Sequence, residues 1–264
     1  MNNMNKTEIL KKCFAFMDLT TLRPEDTENS VKNLVDKVSE FHLLYPSYPL
    51  PASICVYPNF AHVVRDHRIS PELHVTTVAG CFPSSQSFPQ VKELEVKMAI
   101  EDGADEVDIV LALNAFLAGD KERAYQEIAR IKDICTARGV LLKVILETGI
   151  LKTEQLIHDA SMLAMEAGAD FIKTSTGKVS VNATPEAARV MCYAIKEYYE
   201  KTGRKVGFKA AGGVSTADEA LQYYEIGESI LGAEWLNKNL FRFGVSRLGN
   251  SLVSAIENEE IKFF

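Results

Sequence analysis

One rhythm constrains this chain more than any other feature. Short apolar runs, each about one strand long, recur along its whole length and are separated by longer amphipathic stretches. The runs are Phe14–Leu19, Ser53–Tyr57, Val75–Ala79, Glu106–Leu111, Leu141–Leu146, Phe171–Ser175, Val206–Lys209 and Ser229–Gly232. Helices are predicted between them, among others over Ala217–Ile226 and Pro185–Lys201, where Thr184 is placed to cap and Pro185 suits the first turn. Eight strands in 264 residues give one unit about every 33 residues, a normal βα repeat. Strands alternating with helices imply a parallel sheet, and eight units imply an α/β fold closed as a TIM (β/α)8 barrel. No Pro- or Ser-rich linker breaks the pattern. The reading is therefore one domain over residues 1–264, with an N-terminal helix over about 1–13 and a C-terminal tail over about 251–264.

A faint internal repeat agrees. Glu101-Asp-Gly-Ala-Asp105 and Glu166-Ala-Gly-Ala-Asp170 share one plan: a helix end, a glycine suited to the left-handed closing position, then a strand. Asp108 and Lys173 each follow that glycine by five residues. Units opening at Gly139 and Gly203 likewise carry Lys143 and Lys209 shortly afterwards.

Composition narrows the class. With 47% hydrophobic and 25% charged residues the chain reads as soluble and globular. A net charge of −7 with no basic run argues against nucleic-acid binding. No apolar run is long enough to span a membrane, and Met1–Lys12 lacks the apolar core of a signal peptide. The five cysteines (Cys13, Cys55, Cys81, Cys135, Cys192) are scattered and never spaced as Cys-x-x-Cys, which fits free thiols in a reducing cytoplasm. Asn182-Ala-Thr184 matches a glycosylation acceptor, but no secretory signal accompanies it. His62 and His67 lie five apart, not on one helix face, and no metal-ligand spacing occurs elsewhere; no metal or other cofactor is expected.

Two lysines stand at the ends of buried-looking strands, Lys173 and Lys209. A buried ammonium is costly and tends to lose its proton. A neutral amine beside a second cation attacks carbonyls, which is how a Schiff base forms near neutral pH. Side chains alternate between lumen and helix layer, so a lumenal Lys173 brings Phe171 and Ser175 inward and sends Ile172 outward. Asp108, flanked by apolar neighbours, should also point inward. The competing explanation is a buried ion network among Lys143, Asp108 and the two lysines with no chemistry attached.

Glycine-rich segments follow several strands, where free backbone N–H groups can cradle an anion. Thr176, Gly177 and Lys178 follow the sixth strand and Gly212-Gly213 the seventh. Gly232 falls after the expected eighth, and Phe243-Gly-Val-Ser246, with Gly244, opens a candidate short helix. Loops after strands seven and eight plus such a helix are a common phosphate site in barrels. A P-loop is excluded, because the glycine it needs five residues before Gly177 is Ile172.

These segments resemble one family. Met17-Asp-Leu-Thr-Thr-Leu22, Ile54-Cys-Val-Tyr-Pro58, Gly103-Ala-Asp-Glu-Val-Asp108, Leu141-Leu-Lys-Val-Ile145, Glu147-Thr-Gly149, Phe171–Lys178, Val181-Asn-Ala-Thr-Pro185, Gly207-Phe-Lys209 and Ala211-Gly-Gly-Val214 are similar, in order, to deoxyribose-phosphate aldolase over about residues 14–250. The resemblance implies a metal-independent class I aldolase on a TIM barrel. Its reaction is the reversible cleavage of 2-deoxy-D-ribose 5-phosphate to D-glyceraldehyde 3-phosphate and acetaldehyde, in deoxyribonucleotide catabolism. It assigns Lys173 to the Schiff base, Lys209 to lowering its pKa and donating protons, Asp108 to proton shuttling with a water, and Asp18 and Lys143 to the surrounding charges. Gly177, Lys178, Gly212, Gly213, Gly244 and Ser246 match positions near the substrate phosphate, and Thr176 and Gly232, by their place after strands, join them as candidates for substrate and phosphate binding. Cys55 lies near the pocket, as a buried thiol or as a target of aldehyde products.

The chain departs from the family pattern at Ala210, where proline is common, and at Ser215 and Arg247, which exchange an arginine and a serine near the phosphate loops. It ends Phe263-Phe264, so the tail cannot supply the tyrosine hydroxyl of some relatives; its expected role is packing or disorder. The rivals are a transaldolase-like enzyme, which lacks the paired lysine on the next strand, and a non-catalytic phosphate-binding barrel, which has no use for the lysines. A homodimer is the expected assembly.

Overall fold

The computed structural model describes residues 3–264. Its strands are β1 (Met17–Thr20), β2 (Ser53–Val56), β3 (His74–Val78), β4 (Glu106–Val110), β5 (Leu141–Ile145), β6 (Phe171–Lys173), β7 (Gly207–Ala211) and β8 (Phe241–Val245). All pair in parallel with their chain neighbours, and β8 returns to β1, so the sheet is a closed barrel. Helices between strands form the outer layer, as the sequence rhythm predicts. Along each strand one face is apolar: Val107 and Ile109, Leu142 and Val144, Ile172, Phe208 and Ala210 join the core between sheet and helices. The alternate positions, among them Glu106, Asp108, Lys143, Lys173 and Lys209, are left for the lumen.

The helix Pro185–Thr202 begins as its residues dictate. Thr184 accepts a hydrogen bond from the Ala187 N–H, Pro185 occupies the first turn, and Gly203 at φ +72° closes the end. One expectation fails. Ser229–Gly232 is not the eighth strand; the helix opening at Ala217 runs on to Leu231. Ala220, Tyr223, Tyr224, Ile226, Ile230 and Leu231 are buried along one side of it, so the apolar run read as a strand is the last turn of an amphipathic helix. The eighth strand lies ten residues later, in Phe241-Arg-Phe-Gly-Val245, where Phe241, Phe243 and Val245 face outward and Arg242 and Gly244 inward. The short helix expected at Phe243 accordingly starts at Leu248.

The two ends of the chain pack together. The N-terminal helix spans Asn3–Ala15 and buries Ile9, Leu10, Cys13 and Phe14; the first two residues of the predicted segment lie outside the described ones. The predicted tail is helical to Glu257, then turns back at Asn258 (φ +57°). The Phe263 and Phe264 N–H groups donate to Asn250 Oδ1 at 2.8 and 2.9 Å, and Phe264 stacks near Phe14 and Phe41, with ring centres 6.0 and 5.0 Å away. The tail is thus packed. The proline-containing connection before β2 starts after the helix Glu28–Leu44, and Tyr48 within it is buried and donates to the Glu257 carboxylate.

Candidate active site

Seven buried charged side chains converge inside the barrel: Asp18 from β1, Glu106 and Asp108 from β4, Lys143 from β5, Lys173 from β6, Lys209 from β7 and Arg242 from β8. The register makes this compulsory, because Asp108 is level with Lys143, Lys173 with Lys209, and Lys209 with Arg242. Four are cations and three are carboxylates. Lys143 Nζ lies 2.6 Å from Glu106, 2.9 Å from Asp108 and 3.7 Å from Asp18. Lys209 Nζ lies 2.5 Å from Asp18 and 2.7 Å from Asp108. Arg242 bridges Asp18 at 2.5 Å and Glu106 at 2.8 Å, and its guanidinium sits 5.6 Å from the Phe171 ring centre. Lys173 pairs with Asp108 alone, at 2.8 Å.

That inequality sets the protonation pattern. Burial disfavours the charged form of every lysine here. At Lys209, Asp108 and Asp18 outweigh burial and push the ammonium above its ordinary value. Asp108 and Glu106 do the same for Lys143. At Lys173 burial prevails, Lys209 adds like-charge repulsion, Asp108 opposes them only in part, and the pKa falls. Burial would raise Asp108, but Lys143, Lys173 and Lys209 together hold it well below the carboxylate range. Four cations on three anions leave one proton in excess, and Lys173 is the group that gives it up most readily.

The loops at the C-terminal ends of the strands stand above this set. Thr176, after β6, donates its hydroxyl to Glu147 at 2.6 Å; Gly177 has φ +79°. Lys178 Nζ reaches across to the Leu22 carbonyl at 2.6 Å. Gly212 and Gly213 follow β7 at φ +80° and +87°. A Cβ on Gly244 would lie 3.0 Å from Lys209 Cε and 2.8 Å from Ala211 Cβ, so glycine there makes room for the second lysine. Ser246 and Arg247 are exposed just before the helix Leu248–Glu257. Ser215 is engaged: its N–H and Oγ both meet Glu219 Oε2, at 2.8 and 3.3 Å. Cys55, on β2, is buried, and burial raises its thiol pKa. The Ser175 hydroxyl is buried without a protein partner.

Gly232 does not belong to this cluster. It ends the helix Ala217–Leu231 and leads into β8, and so lies at the opposite end of the barrel from the strand C-termini. Its placement followed from the misassigned eighth strand. The same error hid Arg242, whose signal was an arginine between two phenylalanines in an alternating run. Glu106, two residues before Asp108 and therefore on the same face, was legible but unassigned; it also accepts from Thr76 Oγ1 at 2.8 Å and meets His74 Nδ1 at 2.7 Å. Among the described residues no group of three or more His, Cys, Asp or Glu side chains could hold a metal ion, and no helix is long and apolar enough to cross a membrane.

Residues 13–248 match the DeoC/LacD family aldolase profile. A Caenorhabditis elegans protein provisionally named a deoxyribose-phosphate aldolase is 46% identical over 249 residues, covering 94% of this chain and 81% of that protein. The deoxyribose phosphate aldolase of Aeropyrum pernix, described as a unique tetramer, superposes with a TM-score of 0.73 at 25% identity, covering 96% of this chain and 94% of its own. An apo-form Toxoplasma gondii structure, also provisionally named a deoxyribose-phosphate aldolase, gives 0.83 at 25% identity over 97% of this chain and 99% of that one. The chain belongs to the DeoC/LacD aldolase family and is a lyase.

Proposed function

We propose that this protein is a class I aldolase that reversibly cleaves 2-deoxy-D-ribose 5-phosphate to D-glyceraldehyde 3-phosphate and acetaldehyde, with Lys173 as the Schiff-base nucleophile. The observation that carries this reading is the excess cation: Lys173 is held by one carboxylate while Lys209 and Lys143 are each held by at least two. The Lys173 amine adds to the C1 aldehyde of the open-chain sugar, and loss of water leaves a protonated imine. The C3 hydroxyl proton passes to Asp108, directly or through a water. The C2–C3 electron pair flows into the imine, giving an enamine and glyceraldehyde 3-phosphate. At that stage the nitrogen is neutral, so Asp108 has lost one cation and accepts the proton more readily than at rest. Protonation of the enamine at C2 and hydrolysis release acetaldehyde and the free amine. Lys209, an ammonium at rest between Asp18 and Asp108, gives a proton to the hydroxyl that leaves as water when the imine forms and recovers it when the imine is hydrolysed.

Gly177, Lys178, Gly212, Gly213, Gly244 and Ser246 are the groups we assign to the phosphate end of the substrate. Arg247, exposed beside them, offers the cation that stands in for an arginine at Ser215. Deoxyribose catabolism in the cytoplasm is the physiological setting we propose, and a homodimer the assembly. Exposed Phe88, Val91, Leu94 and Met98, on and just before the helix Pro89–Glu101, support self-association. The test is cleavage of 2-deoxyribose 5-phosphate in excess chelator, beside borohydride trapping of acetaldehyde. Activity that survives chelator with an adduct on Lys173 supports the reading, whereas an inactive native protein, or an adduct elsewhere, rejects it.

A further inference from the structure

We infer that Glu147 is a positioning residue for the substrate: it fixes the Thr176 hydroxyl as a hydrogen-bond acceptor, so that Thr176 reads a hydroxyl of the sugar and not its phosphate. The inference rests on the aldolase reading above. Glu147 lies two residues past β5 and has φ +55°, a left-handed conformation unfavourable for any residue with a Cβ. Its carboxylate is 2% exposed, yet among the described residues no cation pairs with it. Buried carboxylates normally have such a partner. Both oxygens are instead committed to one residue: Oε1 accepts from the Thr176 N–H at 3.1 Å and Oε2 from Thr176 Oγ1 at 2.6 Å. A strained backbone and an unpaired buried acid spent on one hydroxyl point to that hydroxyl's orientation as what the arrangement secures.

The hydroxyl's capacity can be counted. A threonine hydroxyl has one proton and two lone pairs. The proton goes to Glu147, and one lone pair accepts from the Lys178 N–H at 3.0 Å. What remains is a single lone pair. It cannot donate to a phosphate oxygen, which only accepts, but it can receive the proton of a sugar hydroxyl. The frame around it is stiff. The Leu146 N–H donates to the Lys173 carbonyl at 2.9 Å and the Thr148 N–H to the Thr174 carbonyl at 2.9 Å, so the segment that carries Glu147 also holds the nucleophile's backbone. A Cβ on Gly149 would stand 2.1 Å from the Val181 carbonyl oxygen, which packs this turn against the far part of the β6 loop. The strand that carries Lys173 and the loop that carries Thr176 are thereby tied to one turn.

Glu147→Gln keeps the shape and the backbone strain but turns one acceptor into a donor, which reverses the Thr176 hydroxyl. The expected result is a KM for 2-deoxyribose 5-phosphate raised about tenfold or more, with kcat falling less. Acetaldehyde trapping on Lys173, which needs no sugar hydroxyl, should fall by less than about threefold. Thr176→Val should lose a similar factor, and the double variant should be no worse than Thr176→Val alone. Glu147→Gly relieves the left-handed backbone and should show the same KM loss with an undiminished melting temperature. A Glu147→Gln KM within about twofold of native overturns the inference, as do losses that multiply in the double variant. So does trapping that falls together with cleavage and melting temperature. If the native protein does not cleave the sugar phosphate at all, the aldolase substrate itself is wrong and this role falls with it, an outcome separable from normal native cleavage with an indifferent variant.

Discussion

The protein gathers buried ions of opposite sign in two places. In the helix layer Lys92 lies between Ser85 Oγ at 3.0 Å and Glu127 at 2.6 Å, while Arg123 reaches the same carboxylate at 3.1 Å from a half-exposed position. Each buried charge there has its own partner, and the surplus cation is hydrated. In the lumen four cations face three carboxylates with no water-exposed member to absorb the difference. A matched buried pair fixes two helices, whereas an unmatched set must adjust its protonation. Balance, more than burial, separates a structural ion cluster from one poised to react.

The largest effect should come from the surplus lysine. Lys173→Met should abolish trapping and cut cleavage by about 10^4-fold or more, yet leave the melting temperature at neutral pH equal or higher. The sign follows from the lowered pKa of Lys173. Below ~10.4 the unfolded chain holds that proton more tightly than the folded one, so the lysine weakens the fold, and the penalty fades as pH climbs to that value. The gain from Met should therefore shrink in alkali; a melting temperature that drops sharply would contradict the surplus. Lys209→Met comes next. It removes the like charge and frees Asp108 and Asp18 to pair elsewhere, so the Lys173 pKa rises and the trapping profile moves to higher pH. Cleavage at pH 7 should fall about 10^3-fold, and an unshifted profile would show that Lys209 does not depress Lys173.

The helix-layer cluster should behave in the opposite way. Lys92→Met should cost about 3 kcal/mol, measured by denaturant titration, because Glu127 keeps only its half-exposed Arg123. The kcat of the folded fraction should be unchanged; a large drop would give this cluster a catalytic share. Smallest, Phe264→Ala should cost about 2 kcal/mol through the aromatic contacts with Phe14 and Phe41 while leaving KM untouched. A raised KM would instead connect the tail to the site.

Most strands and the charged inner positions were legible because a barrel strand exposes its logic locally: apolar outward, charged inward, a glycine before it. Asp108, Lys143, Lys173 and Lys209 could be picked out on that basis, and the structure gathers them within hydrogen-bonding distance of one another's partners. The eighth strand was misread for a physical reason. Ser229-Ile-Leu is as apolar as a strand, and only the burial of the whole helix from Ala217 shows which period it continues. Arg242 was lost with it, and Gly232 was carried to the wrong end of the barrel. Glu147 could not be found this way, because a left-handed glutamate has no sequence signature; its meaning lies in Thr176, twenty-nine residues on.

By itself the sequence determined the repeating strand–helix pattern, the parallel barrel it closes into, the family and the lysine pair, since periodicity, capping and motif are properties of neighbours along the chain. The tertiary structure alone decided which lysine is short of carboxylates, which hydroxyl is fixed by Glu147, and that Phe264 docks beside Phe14 and Phe41. Those are properties of neighbours in space, and charge balance in a closed lumen exists only once eight distant segments share it.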